Sequence, residues 1–224
     1  MTDSDDMEKQ KACPALGGGR RPAAGEDPVK REQILDGAHR VFMRMGFDAA
    51  SMNDITREAG VSKGTLYVYF ADKEALFTAI VQRQKLRVHS FLTRIAAKDA
   101  PIEEVMLELG IAFTTHLLAE DAVRAMRIII GVAERMPALT QVFMATGPNR
   151  GPQILAEFFQ RQAASGHLRN IDDFHLAARQ FGDLCLAGFF RPRLFGEMTE
   201  PPSAAAIEAN VRSAITMFLN TYGA

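Results

Sequence analysis

The 224-residue chain has no tryptophan and only two cysteines, Cys13 and Cys185. The cysteines lie far apart and no CxxC pair occurs, which argues against a disulfide framework or a zinc site and fits a reducing cytoplasm. Nowhere does the chain carry about 18 consecutive apolar residues without a charge, so no spanning helix is expected. The opening MTDSDDMEKQ is acidic and polar, the wrong chemistry for a secretory signal. Catalytic signatures are lacking too: there is no ExxH, HExxH or GxxxxGKS. The histidines at 39, 89, 116, 167 and 175 form no i, i+4 pair for a metal. The chain therefore reads as a non-enzyme with no cofactor, no metal and no membrane partner.

Lysine is missing from the second half, since all seven lysines lie at or before Lys98. Lys plus Arg number 26 against 27 Asp plus Glu, a formal net charge of -1 that by itself speaks against a nucleic-acid binder. The total hides an asymmetry. Residues 28–99 carry twelve basic and eight acidic side chains, residues 100–224 ten basic and thirteen acidic. A basic segment ahead of an acidic body suggests one face for a polyanion and a body with another task.

Strand-like alternation is also missing, and no internal repeat appears. Residues 1–27, with Gly17-Gly18-Gly19, Pro14 and Pro22, read as a mobile tail. From Val29 to Met45 apolar residues recur on one helical face, and Gly46 supplies a stop. Ser51, with Asp54 three residues on, resembles a capping box and opens a helix that ends at Gly60. Ser62 is placed to cap a short helix from Lys63 to Phe70, and Asp72 a long one to about Ala97. Two short helices around Gly60-Val61-Ser62 form a helix-turn-helix pattern, whose second helix enters the DNA major groove. Further helices are expected at 102–119, 122–135, 139–145, 152–165, 172–189 and 204–221, with 189–195 leading into a loop.

The run Val61-Ser-Lys-Gly-Thr-Leu-Tyr-Val-Tyr-Phe70, followed by Asp72-Lys-Glu-Ala-Leu-Phe77, resembles the DNA-binding domain of TetR-family transcriptional repressors. Ala38, Phe42, Gly46-Phe47, Ser51, Ile55 and Ala59-Gly60-Val61 extend the resemblance over about residues 30–77. One departure is Val68-Tyr69, where many members carry Tyr-His. The expected fold is all-α: a three-helix DNA-binding domain at 28–77, linked by a long helix to a helical ligand-binding and dimerisation domain within 78–224. Candidate DNA contacts are Ser51, Met52, Ser62, Lys63, Gly64, Thr65, Tyr67, Tyr69 and Lys73. Lys63 suits a phosphate or guanine edge, the hydroxyls suit phosphates, and Gly64 allows close backbone approach.

The resemblance implies a pocket and a dimer interface in the body, without assigning residues. An apolar cavity is expected from Met106, Phe113, His116, Met126, Ile129, Ile130, Phe143, Met144 and Cys185, methionine being well suited to adaptable binding surfaces. A four-helix dimer interface is expected from Ile154, Leu155, Phe158, Phe159, Phe181, Leu184, Leu186 and Phe189. The function expected is a cytoplasmic homodimeric repressor that binds a palindromic double-stranded operator and is released by a small apolar or amphipathic effector. An activator or ligand-independent regulator of the same fold, and a helical protein-interaction adaptor, are the alternatives.

Overall fold

The computed structural model describes residues 25–146 and 150–224. The expected mobile tail therefore lies almost wholly outside the described residues, Cys13 with it. Among the described residues eleven helices follow one another: α1 (Pro28–Ala49), α2 (Met52–Ala59), α3 (Lys63–Tyr69), α4 (Lys73–Ala96), α5 (Ile102–Leu118), α6 (Glu120–Val132), α7 (Pro137–Thr146), α8 (Arg150–Ala164), α9 (Phe174–Leu186), α10 (Phe190–Phe195) and α11 (Ala204–Tyr222). No strand occurs among the described residues; one antiparallel bridge joins Leu168 to Gly223.

The first four helices begin where the sequence supplies caps. The Asp27 carboxylate accepts from the Val29 and Lys30 amides, with Pro28 in the first turn. Ser51 and Asp54 form the reciprocal capping box, ahead of a left-handed Gly60 at φ 65°. The Ser62 hydroxyl accepts from the Thr65 amide and the Asp72 carboxylate from the Ala75 amide. Gly46, expected as a stop, breaks α1 at φ 77° and ψ 174°, after which the chain resumes a short turn to Ala49.

Two apolar cores result. In the first, Phe42 and Phe47 of α1 meet Phe77 of α4, with ring centroids 5.5–5.7 Å apart. Ile55 of α2 and Leu66 and Phe70 of the α3 segment close it from below. In the second, Phe159 of α8, Phe181 of α9 and Phe218 of α11 pack at 4.5–5.9 Å. Each such fully buried side chain contributes about 1.5–3 kcal/mol by leaving water. Helix α4 serves both cores: Leu76, Phe77 and Ile80 face the first, Leu92, Ile95 and Ala96 the second.

Helix α6 joins the body to α1. Arg124 donates to the Met43 carbonyl at 2.5 Å, and just beyond α6 Arg135 pairs with Asp48 at 2.7 Å. His39 of α1 lies 3.7 Å from Asp121. Burial, outweighing the Asp121 charge, holds its imidazole below its ordinary value, so neutral imidazole is favoured at this position.

Two expectations are corrected here. The segment 189–195 does not lead into a loop but forms helix α10 behind Phe189 as its cap residue, because Gly188 at φ 79° ends the preceding helical run and Gly196 at φ 85° ends α10. The expected interface side chains Ile154, Leu155, Phe158, Phe159 and Phe181 lie inside the second core of a single chain. Side chains already packed within one protomer have no surface left for a second copy. Leu184, Leu186 and Phe189 are only partly covered.

One close approach is not visible in the sequence. A Cβ on Gly37 would come within 2.6 Å of the Ala59 Cβ and 2.8 Å of its backbone nitrogen. Backbone stands in the way, so relief requires α2 to move off α1. Gly37→Ala is expected to destabilise the chain by about 1–3 kcal/mol, as overpacking commonly does. A thermal melt followed by circular dichroism checks this; an unchanged midpoint would contradict it.

Candidate nucleic-acid interface

Helix α3 is seven residues long and buries one side only. Leu66 is fully enclosed and Thr65 half-covered, while Lys63, Gly64, Tyr67 and Val68 stand on the outer side. These positions follow the i, i+1, i+4, i+5 spacing of one helical face. Tyr67 is 45% exposed and Val68 53%. Neither Lys63 nor Tyr67 has a side-chain bond or ion pair to another described residue. The face combines an ammonium, a phenol, bare backbone at Gly64 and an isopropyl group, presented by a capped turn. Such a surface suits phosphate oxygens, base edges and a thymine methyl.

The other expected DNA-facing residues occupy different settings. Ser51 is exposed, and its hydroxyl is engaged with Asp54, accepting from the amide at 3.2 Å and donating to the carboxylate at 2.5 Å. That hydroxyl, ahead of the Arg57 charge, holds the Asp54 carboxyl below the usual carboxylate range. Ser62 and Thr65 share a hydroxyl–hydroxyl bond of 2.8 Å. Met52 and Tyr69 are partly covered against the first core, on the flanks of the outer face.

Lys73 requires a correction. Its ammonium donates to three backbone carbonyls, of Phe47 at 3.0 Å, Asp48 at 3.3 Å and Ala50 at 3.4 Å. It also lies 4.6 Å from the centre of the Phe47 ring. All three donors of an ammonium are thereby used. The carbonyls need a donor because they lie in the short turn after the break at Gly46, at the end of α1, where the last carbonyls lack helical partners. Lys73 locks this junction rather than reaching outward for an anion.

Much of the basic charge counted in the sequence is likewise committed. Arg40 and Arg44 both grip Glu58, at 2.7 and 3.1 Å, and keep its carboxyl below the usual range. Arg83 spans Glu32 and Asp36 at 3.0 and 2.7 Å, and Arg57 pairs with Asp54 at 2.5 Å. Exposed Lys63 is left as the cation of the outer α3 face. Sequence reasoning missed Val68, although its helical spacing from Gly64 marks the same side.

The expected pocket residues occupy several settings among the described residues. Met106 and Cys185 are enclosed in the second core, where burial pushes the Cys185 thiol up to about 12 and makes it an inert packing group. The Phe113 ring fits against Gly182 and Gly151, 2.8 Å from where a Cβ on Gly151 would stand. Ile129 belongs to the first core, and Phe143 packs against it. Ile130, at 60% exposure, and Met144 are exposed, Met126 is half-covered, and His116, though partly accessible, is desolvated enough that burial holds its imidazole below its ordinary value. Helical periodicity distinguishes apolar from polar faces but not which of two cores each face joins.

Comparison with known proteins decides the family. Residues 34–80 match the description "Bacterial regulatory proteins, tetR family". Residues 104–224 match "AefR-like transcriptional repressor, C-terminal domain", more than half of the chain. The chain belongs to the TetR family. A TetR-family regulator of known structure from Mesorhizobium loti is 27% identical, covers 88% of this chain and 98% of its own, and superposes with a TM-score of 0.81. The flavonoid-responsive regulator FrrA is 28% identical over 87% of this chain and 97% of its own, with a TM-score of 0.69. An HTH-type transcriptional repressor of Mycobacterium tuberculosis is 36% identical over 75 residues, 33% of this chain and 40% of the relative. The first curated relatives are matched over 40–57% of their own length. This TetR-family chain has no helix, among its described residues, long and apolar enough to cross a membrane.

The role of Lys73 within the TetR-type domain is testable by substitution. Lys73→Met keeps a long side chain but leaves three carbonyls without their donor. A loss of about 1–3 kcal/mol is expected, the scale of hydrogen bonds donated by a charged group to partly covered carbonyls. For a chain of this size that lowers the melting midpoint by roughly 2–12 °C. An unchanged midpoint by scanning calorimetry would return Lys73 to the set of free surface cations.

Proposed function

We propose that the chain is a sequence-specific DNA-binding repressor that acts as a homodimer on a palindromic duplex. The observation that carries this reading is the outer face of α3. Lys63, Gly64 and Tyr67 are exposed, as is most of Val68 although its isopropyl group lies against Gly25, and all four are held on a short, capped turn beside a rigid core. Gly64 is the clearest member. A Cβ there would meet nothing nearer than the Ser62 hydroxyl at 3.9 Å, so no internal clash demands glycine. A helix glycine costs about 1 kcal/mol relative to alanine, and close approach of an external backbone accounts for it.

Lys63→Ala and Tyr67→Phe are expected to weaken binding to duplex DNA from the chain's own upstream region without changing the melting midpoint. Removing either interaction costs about 1–3 kcal/mol, or roughly 5- to 150-fold in affinity. Fluorescence anisotropy at fixed salt measures it. Parental affinity in both variants would remove α3 from the interface.

A single seven-residue helix reads few base pairs, and a symmetric pair gains both affinity and register. Leu176 of α9 and Met217 of α11 are large apolar side chains left exposed on the body, and they support a dimer face on the outward positions of these helices. Light scattering at micromolar concentration is expected to return the dimer mass; a monomer alone would refute the assembly. Release by a small molecule is the regulatory part of this reading. It is supported by the similarity to FrrA, a flavonoid-responsive regulator.

A further inference from the structure

A second concave feature lies at the junction of α6 and α10. A cavity of about 150 Å³ is lined there by Glu120, Val123, Arg124, Arg127, Arg193 and Thr199. Three of these six side chains are arginines and one is a carboxylate. Glu120 is engaged with Arg124 at 2.5 Å. The other two guanidinium groups have no carboxylate within 4 Å among the described residues. Asp121, next to Glu120, lies against His39, and exposed Glu197 and Glu200 make no ion pair with either arginine.

Arg127 and Arg193 bond only to neutral carbonyls. Arg127 donates to Leu194 and Arg193 at 2.8 Å each. Arg193 is 4% exposed and donates to the carbonyls of Leu118, Met198 and Thr199 at 3.2, 3.2 and 2.5 Å. Its Nη2 nitrogen is buried with no hydrogen-bond partner. Backbone carbonyls orient a guanidinium but do not neutralise it, and a buried charge is normally paired because desolvation is costly. Two adjacent guanidinium groups at this concave wall, Arg127 exposed and Arg193 buried, carry charge that no carboxylate among the described residues offsets, and guanidinium is the group whose forked geometry recognises carboxylates and phosphates.

We propose that this cavity is a binding site for a small oxyanion, a carboxylate or a phosphate, held by Arg127 and Arg193. The volume suits a ligand of about six heavy atoms. Val123 is the one apolar side chain of the lining, so a compact polar anion fits better than a hydrophobic multi-ring molecule.

Isothermal titration of the full chain with sodium phosphate and with sodium acetate, at ionic strength held constant with chloride, tests the assignment. At least one of the two anions is expected to bind saturably, one per chain, with a dissociation constant below about 1 mM. Phosphate binding alone assigns a phosphoryl ligand, and acetate binding alone a carboxylate. Arg127→Gln and Arg193→Gln are each expected to weaken that binding by about tenfold or more, the scale of removing one charge-assisted hydrogen bond. Lys63→Ala is expected to leave it unchanged. Arg193 also ties down α10, so circular dichroism accompanies its variant, and exposed Arg127 decides alone if Arg193→Gln does not fold. Absence of saturable binding of either anion, or equal binding by parent and Arg127→Gln, overturns the proposal. Loss of DNA binding by the parent chain would overturn the repressor reading and leave the anion result standing.

Discussion

The outer face of α3 depends on two side chains that point the other way. Leu66 and Phe70 anchor the short helix in a core whose far wall is α4. Seven residues are too few to hold a helix in water on propensity alone, since isolated helices are marginal below about 12–15 residues. The Ser62 cap and the left-handed Gly60 set its start, but burial of Leu66 supplies the free energy that keeps it folded. The same burial leaves Lys63, Gly64, Tyr67 and Val68 turned outward. Helix α4 extends the constraint. At 24 residues it spans about 36 Å, and one continuous rod carries Phe77 in the first core and Ile95 in the second. The two cores thus share a rigid member rather than a flexible linker.

Legibility of the sequence followed the range of the forces involved. Caps act over three residues, and Ser51, Ser62 and Asp72 stand at helix starts as their spacing predicts. Helical periodicity also located α5 to α9 and α11 to within a few residues. What failed was partner choice. Ile129 reads as body and packs into the first core; Phe159 and Phe181 read as a dimer face and fill the protomer. Period 3.6 says that a face is apolar and says nothing about what covers it. Lys73 shows the same limit for a polar group. Its three carbonyl partners lie 23 to 26 residues away; Gly46 marks the break that frees them, but no local pattern says which side chain answers it.

Charge counting succeeded in outline and misled in detail. The excess of basic residues at 28–99 is real, yet Arg40, Arg44, Arg57 and Arg83 are all paired within the domain. Exposed pairs of this kind contribute little, typically about 0–1 kcal/mol, but they remove cations from the field a polyanion would meet. The body shows the reverse. Its formal charge is negative, but the wall between α6 and α10 concentrates guanidinium groups with one carboxylate between them. Net charge over a segment averages out the local imbalance, and that imbalance is what a ligand would meet.

Arg124 stands where these two charge patterns touch. It lines the α6–α10 cavity, pairs with Glu120 and donates to the Met43 carbonyl, three residues before α1 breaks at Gly46. From that break the chain runs through the carbonyls gripped by Lys73 into the Ser51 cap of α2, and α2 leads through Gly60 into α3. Every link is a hydrogen bond or a turn of fixed geometry, and none relies on an exposed ion pair alone. A shift of α6 against α1 would therefore act on the junction that sets where the outer face of α3 points. Two sites can bias one another along a contiguous physical network of this kind.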